Sequence, residues 1–236
     1  MKKHTNKTRK QNEEINDTAT VMQDEAMELI KAGHIPEGVV TLQTLVRRVP
    51  NNAIIHHNLG TGLVMIGEWD QGIDHLQQAH FLDPTLVMSE VMIAVALMGK
   101  KELMAARRIL EGAIALEPKN RYALTTLGRC LVEMDQSIDI AENCFRRAIA
   151  IHTNDQKAWL GLGMALQRMN RTEDAIKAYE QAIAIDPYSG ISVTIRPMVN
   201  DNYSLPPATI IICQLAKEDS GNRAYGTHGT YRTYKG

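Results

Sequence analysis

From residue 19 to about 189 the apolar positions recur at spacings of three and four, the spacing of one face of a helix. His56, Leu59, Gly60 and Leu63 stand at i, i+3, i+4 and i+7. So do Leu124, Leu127, Gly128 and Leu131, and Trp159, Leu162, Gly163 and Leu166. A second stripe alternates with the first: Gly72, Leu76, Ala79; Ala106, Leu110, Ala113; Ala141, Phe145, Ala148; Ala175, Tyr179, Ala182. Gly67, Lys101, Asp135 and Asn170 fall between the stripes and predict short polar turns. Each period therefore reads as two antiparallel helices of about a dozen residues, closed by a proline that cannot continue a helix.

Three independent rulers give the period. Ala79, Ala113, Ala148 and Ala182 are spaced 34, 35 and 34, and Gly60, Ala94, Gly128 and Gly163 are spaced 34, 34 and 35. Pro50, Pro84 and Pro118 are spaced 34 and 34, Thr153 stands where the next proline is due, and Pro187 resumes the series. One extra residue within Glu133–Ile140 accounts for every 35. A Gly or Ala at a helix crossing lets two backbones approach, and a larger residue there costs about 1–3 kcal/mol by overpacking. An isolated hairpin cannot bury its stripe, so it needs neighbours.

This pattern resembles the tetratricopeptide repeat family. Trp159, Leu162, Gly163, Leu166, Ala175, Tyr179, Ala182 and Pro187 match its signature places. Residues 53–86 and 87–120 carry His56 and Glu90 where a bulky residue is usual. Residues 121–155 lack the proline, and a weaker copy at 19–52 is marked by Ala26, Leu29, Gly33, Gly38, Leu42 and Pro50. The resemblance implies an all-α, right-handed α-solenoid of about five helix-turn-helix repeats: 19–52, 53–86, 87–120, 121–155 and 156–189. A basic tail at 1–18 and a non-repeat tail at 190–236 flank the array. In that second tail Ser192 to Arg196 alternates like a strand. The stretch 208–217 suits a strand or a closing helix, with Ile210, Ile211, Ile212 and Leu215 the candidates for docking on the helix over 175–185. The last residues, 221–236, read as disordered by composition.

The resemblance also implies a concave groove, lined by the first helix of each repeat, that holds an extended peptide or a partner helix. The family's contact positions fall here on Ile54, His57, Asn58, Thr61, Val64 and Met65, then on Met88, Val91, Met92, Val95 and Met98. They continue on Tyr122, Thr125, Thr126, Arg129, Val132 and Glu133, and on Lys157, Leu160, Met164, Gln167 and Arg168. One branch of the family grips the C-terminal carboxylates of heat-shock chaperones with Lys, Asn and Arg in the groove. His57, Thr61, Met92, Tyr122 and Thr126 occupy those places here, so that clamp is not expected. Methionine side chains adapt to differently shaped apolar ligands, and Arg129, Lys157 and Arg168 would add a cationic rim. The expected ligand is an apolar or amphipathic segment with some negative charge.

Charge narrows the classes. Twenty-six Lys and Arg stand against 27 Asp and Glu, a net charge of −1, too balanced for nonspecific binding to nucleic-acid phosphates. No stretch approaches the roughly 20 apolar residues of a membrane span. The basic start has no apolar core behind it, so the cytoplasm is the expected compartment. Cys130, Cys144 and Cys213 are too few for a disulfide scaffold or a thiolate zinc site. His56 with His57, and His75 with His80, lack the i, i+4 spacing of a helical metal pair and read as surface or boundary residues. No nucleophile–base set or phosphate loop occurs, so no enzyme, cofactor or metal is expected. The resulting expectation is a protein-interaction scaffold or adaptor, with self-association through end faces as a further mode. The alternative is a dedicated chaperone for a hydrophobic segment of a secreted or assembling protein.

Overall fold

In every hairpin the first helix stops at a left-handed residue. Gly33, Gly67, Lys101, Asp135 and Asn170 have φ of 91°, 86°, 64°, 54° and 60°, a conformation that ends a right-handed helix. The same two backbone bonds close each of these ends. In the second hairpin Gly67 N–H donates to the Val64 carbonyl at 3.2 Å and Glu68 N–H to Leu63 at 2.9 Å. In the fifth, Asn170 N–H donates to Gln167 at 3.0 Å and Arg171 N–H to Leu166 at 2.9 Å. These bonds satisfy carbonyls that a helix end otherwise leaves orphaned.

The structure, a computed structural model, describes residues 19–186, 192–195 and 210–213. The readings of 1–18, of Pro187 and of 214–236 lie outside the described residues. Ten helices occur among them: 19–31 (α1), Ile35–Arg48 (α2), Ala53–Met65 (α3), Trp69–Leu82 (α4), Val87–Gly99 (α5), Leu103–Leu116 (α6), Arg121–Met134 (α7), Ile138–Ile151 (α8), Gln156–Arg168 (α9) and Thr172–Ile185 (α10). They pair into five hairpins, the all-α helix-turn-helix fold that the periodicity predicts. After α10, Ser192–Ile195 (β1) and Ile210–Cys213 (β2) form a two-stranded antiparallel ribbon, with Ser192 opposite Cys213 and Ile195 opposite Ile210. The strand reading of the first segment holds over Ser192–Ile195, and in the second segment the described residues Ile210–Cys213 are a strand and not a helix. It is β1 that lies against α10, with β2 paired to it.

The extra residue of the 35-residue period is placed by the backbone. The other four turns carry one left-handed residue each, whereas the turn between α7 and α8 carries two, Asp135 and Ser137 (φ 49°). The insertion is absorbed in that turn, and both flanking helices keep their faces. Second helices end at Arg48, Leu82, Leu116 and Ile151. The Ile151 end, which has Thr153 in place of proline, matches the others. Three of the first helices, α3, α7 and α9, gain a start signal from side chains, whereas α5 begins after Leu86 without one. Asn52 Oδ1 accepts from Ile54 N–H at 3.0 Å and Ile55 N–H at 3.1 Å, and Asn120 and Asp155 cap α7 and α9 in the same way, each such cap contributing about 1 kcal/mol.

The chain divides after Pro118 into two compact units. In the first, Leu42 and Leu45 of α2 pack with Ala26 of α1 and with Ile55, Leu59 and Leu63 of α3, while Val64, Leu76, Ile93 and Ala96 form a second cluster joining α3, α4 and α5. The helices α3 and α4 cross closely: a Cβ on Gly60 would stand 2.8 Å from the Gly72 carbonyl and 2.6 Å from Leu76 Cγ. In the second unit Phe145 and Tyr179 are the large fully buried side chains among aliphatic residues of α7 to α10. The Tyr179 hydroxyl donates to Gln167 at 3.0 Å, and burial pushes its pKa up to about 12.

Candidate functional site: the first-helix faces

Within each unit the first helices are neighbours. In the first unit α3 touches α5, and in the second α7 touches α9, whereas α4 and α6, or α8 and α10, make no comparable approach. The first-helix layer of each unit is the one that carries the positions that the repeat pattern singles out.

In the first unit those positions differ in what they offer. Ile54 is 53% exposed and Met65 51%. Asn58, Thr61, Met88, Met92 and Val95 are half-buried, and Met92 and Val95 pack against the α3–α5 cluster. Val64 and Val91 are interior, each 2% exposed, and Met98 is buried as well. Their burial corrects the expectation that counted Val64, Val91 and Met98 among the contact positions of the groove. The helix α5 is touched by α3, α4 and α6, so its apolar residues on several sides serve packing. The uncovered apolar surface is narrower than the methionine and valine count implied, and it lies at Ile54 and Met65.

The same unit holds a polar interior that the sequence concealed. His56 is buried, not a boundary residue: its Nε2 is 2.9 Å from the Pro50 carbonyl and its Nδ1 3.1 Å from Nδ1 of His75 on α4. His57 Nδ1 is 3.0 Å from Oγ of the fully buried Ser89, tying α3 to α5. Burial lowers the pKa of His57, and burial together with the nearness of His56 lowers that of His75, so both rings lean to the neutral form at pH 7. His80 of α4 faces Glu90 of α5 at 3.9 Å. No group of three or more His, Cys, Asp or Glu side chains suited to a metal occurs among the described residues. Only the folded hairpin brings His56 and His75, 19 residues apart, into contact.

In the second unit Tyr122 is 49% exposed and Met164 43%, Leu160 is half-buried, and Thr126 and Val132 are buried. Arg129 and Lys157 are exposed. Arg168 is partnered, its Nη1 2.5 Å from Asp135. Arg121 lies 4.0 Å above the Tyr122 ring and pairs with the buried Asp155 at 2.8 Å, which fixes the phenol at the rim of this face. The expected cationic rim is thus reduced to Arg129 and Lys157, because the Arg168 charge is compensated within the unit. The buried hydroxyls of Thr61 and Thr125 have no hydrogen-bond partner. No described helix is long and apolar enough to cross a membrane.

The helical hairpins, their left-handed closures and the small residues at their crossings are those of the tetratricopeptide repeat fold, and the family model for the tetratricopeptide repeat matches residues 157–189. Among relatives, the peroxisomal targeting signal receptor of Kluyveromyces lactis is 38% identical over 72 residues, covering 30% of this chain and 12% of that protein. Anaphase-promoting complex subunit 3 of Schizosaccharomyces pombe is 27% identical over 100 residues, covering 42% of this chain and 15% of the relative. The chain thus spans a small fraction of the curated proteins it matches. The crystal structure of TTC0263, a thermophilic protein of this repeat class from Thermus thermophilus, superposes with a TM-score of 0.66 at 15% identity, covering 72% of this chain and 93% of that one. The two relatives, a receptor and a subunit of a complex, are named for different work.

Proposed function

We propose that this chain is a protein-interaction scaffold that receives a peptide or helix of a partner on its first-helix faces. The observation that carries the reading is the asymmetry of each unit. First helices of a unit touch while its second helices do not, and the family's contact positions on those first helices include the exposed residues Ile54 and Met65 of the first unit and Tyr122, Met164, Arg129 and Lys157 of the second. Exposed apolar and aromatic side chains together with exposed cations suit an amphipathic segment carrying some acidic residues. The receptor and complex-subunit relatives support the interaction class.

Exposure decides the test. Met92 packs against the core, so an acidic residue there would report on folding. We expect Ile54→Asp with Met65→Asp, and Arg129→Glu with Lys157→Glu, to leave the thermal melt within a few degrees of wild type. Each pair should lose at least tenfold of the partner captured from the native host. Phe81→Asp is the control, since Phe81 is 78% exposed on the second helix α4. Full capture by both wall variants, with loss in Phe81→Asp, would place docking on the other side and overturn the proposal.

A further inference from the structure

The tautomers of the buried histidine pair follow from their partners. A carbonyl only accepts, so the contact to Pro50 puts a proton on His56 Nε2. A neutral His56 then presents a bare Nδ1, and the 3.1 Å contact is a hydrogen bond when His75 carries its proton on Nδ1 and donates. The pair can take up one proton, at His75 Nε2, with both bonds intact. A second proton can enter only at His56 Nδ1, where two N–H groups would face each other with no acceptor between them. His56 is 5% exposed, so water reaches that nitrogen only if α3 parts from α4.

We propose that the His56–His75 pair is a proton-operated latch that holds α3 against α4 while it carries at most one added proton and releases this hairpin when both rings are charged. Little around it offsets that charge. Asp74, the one acid beside His75, is exposed. On α5, Ser89 serves His57 and Glu90 faces His80. On α2 the charged residues Glu37, Arg47 and Arg48 are exposed, as are Asp24, Glu25, Glu28 and Lys31 on α1.

The sign of the pH dependence follows. The folded-state pKa of His75 lies below 6.5, so below about pH 6.5 the opened hairpin binds more protons than the closed one. The latch is fully closed above that pH and weakens as pH falls. Each proton bound by the open state alone shifts the opening equilibrium about tenfold per pH unit. The second unit supplies an internal control, because His152 is its one described histidine and is exposed.

Hydrogen exchange of the full chain, corrected for intrinsic rates, reads the latch without any partner. Between pH 7.5 and 5.5 we expect protection in α3 and α4 to fall at least tenfold more than in α9 and α10. His56→Leu with His75→Ile, the residues that Leu124 of α7 and Ile109 of α6 place at the equivalent positions, should keep the two units within twofold of each other. Equal losses in both units, or the same selective loss in the double variant, overturn the latch. Should the double variant not fold, nitrogen-15 spectra of the wild-type imidazoles decide: His56 protonated on Nε2 and His75 on Nδ1 at pH 7.5 support it, and the reverse assignment overturns it.

Discussion

A Cβ added to Gly163 would stand 2.5 Å from Cε1 of Tyr179, whereas one added to Gly112 would meet nothing within 4 Å. The two glycines sit inside helices, α9 and α6, yet substitution should move stability in opposite directions. Gly163→Ala forces a buried ring aside and should lower unfolding free energy by about 1–3 kcal/mol. Gly112→Ala only removes backbone freedom from an exposed helical site and should raise it by about 0.5–1 kcal/mol. Urea denaturation followed by circular dichroism checks both. The periodic sequence marks Gly163 as a packing position because its counterparts recur at the same place, and Gly112 falls outside that series. His56 is the opposite case. It occupies a stripe position, but nothing local shows that a second histidine and a carbonyl wait to receive it.

At the scale of the element, helices, turns and the site of the inserted residue were legible because each depends on local chemistry: an apolar stripe, a short polar turn, a break in a fixed period. The proline rule was less informative than it looked. Helix α8 ends at Ile151 without a proline after it, with His152 N–H donating to the Ala148 carbonyl at 3.0 Å as Val49, Asp83 and Glu117 do to their own partners. The prolines reinforce stops that the backbone already makes. The turn from α7 to α8 holds the cost of the insertion, since Ser137 adopts positive φ with a Cβ. Ser137→Gly should stabilise the chain by roughly 1 kcal/mol, visible as a shift of the denaturation midpoint with unchanged slope. A destabilising result would mean that the serine side chain compensates its backbone.

At the scale of the molecule, the sequence offered a single apolar groove, and the structure separates which parts of it are available. Family positions mark the side of a helix but not the depth at which it lies. The helix α5 has neighbours on three sides, so Val91 is consumed by packing, as is Val64 of α3, while Ile54 and Met65 remain uncovered. In the second unit the charge pattern was similarly thinned, because Arg168 meets Asp135, while Arg129 and Lys157 are exposed. The most direct test of the binding role is a hydrogen-exchange footprint of the chain with and without a partner captured from the host. Slowed exchange in α3, α7 and α9, with α4, α6, α8 and α10 unchanged, is the predicted result. Slowing confined to the second helices would contradict the account.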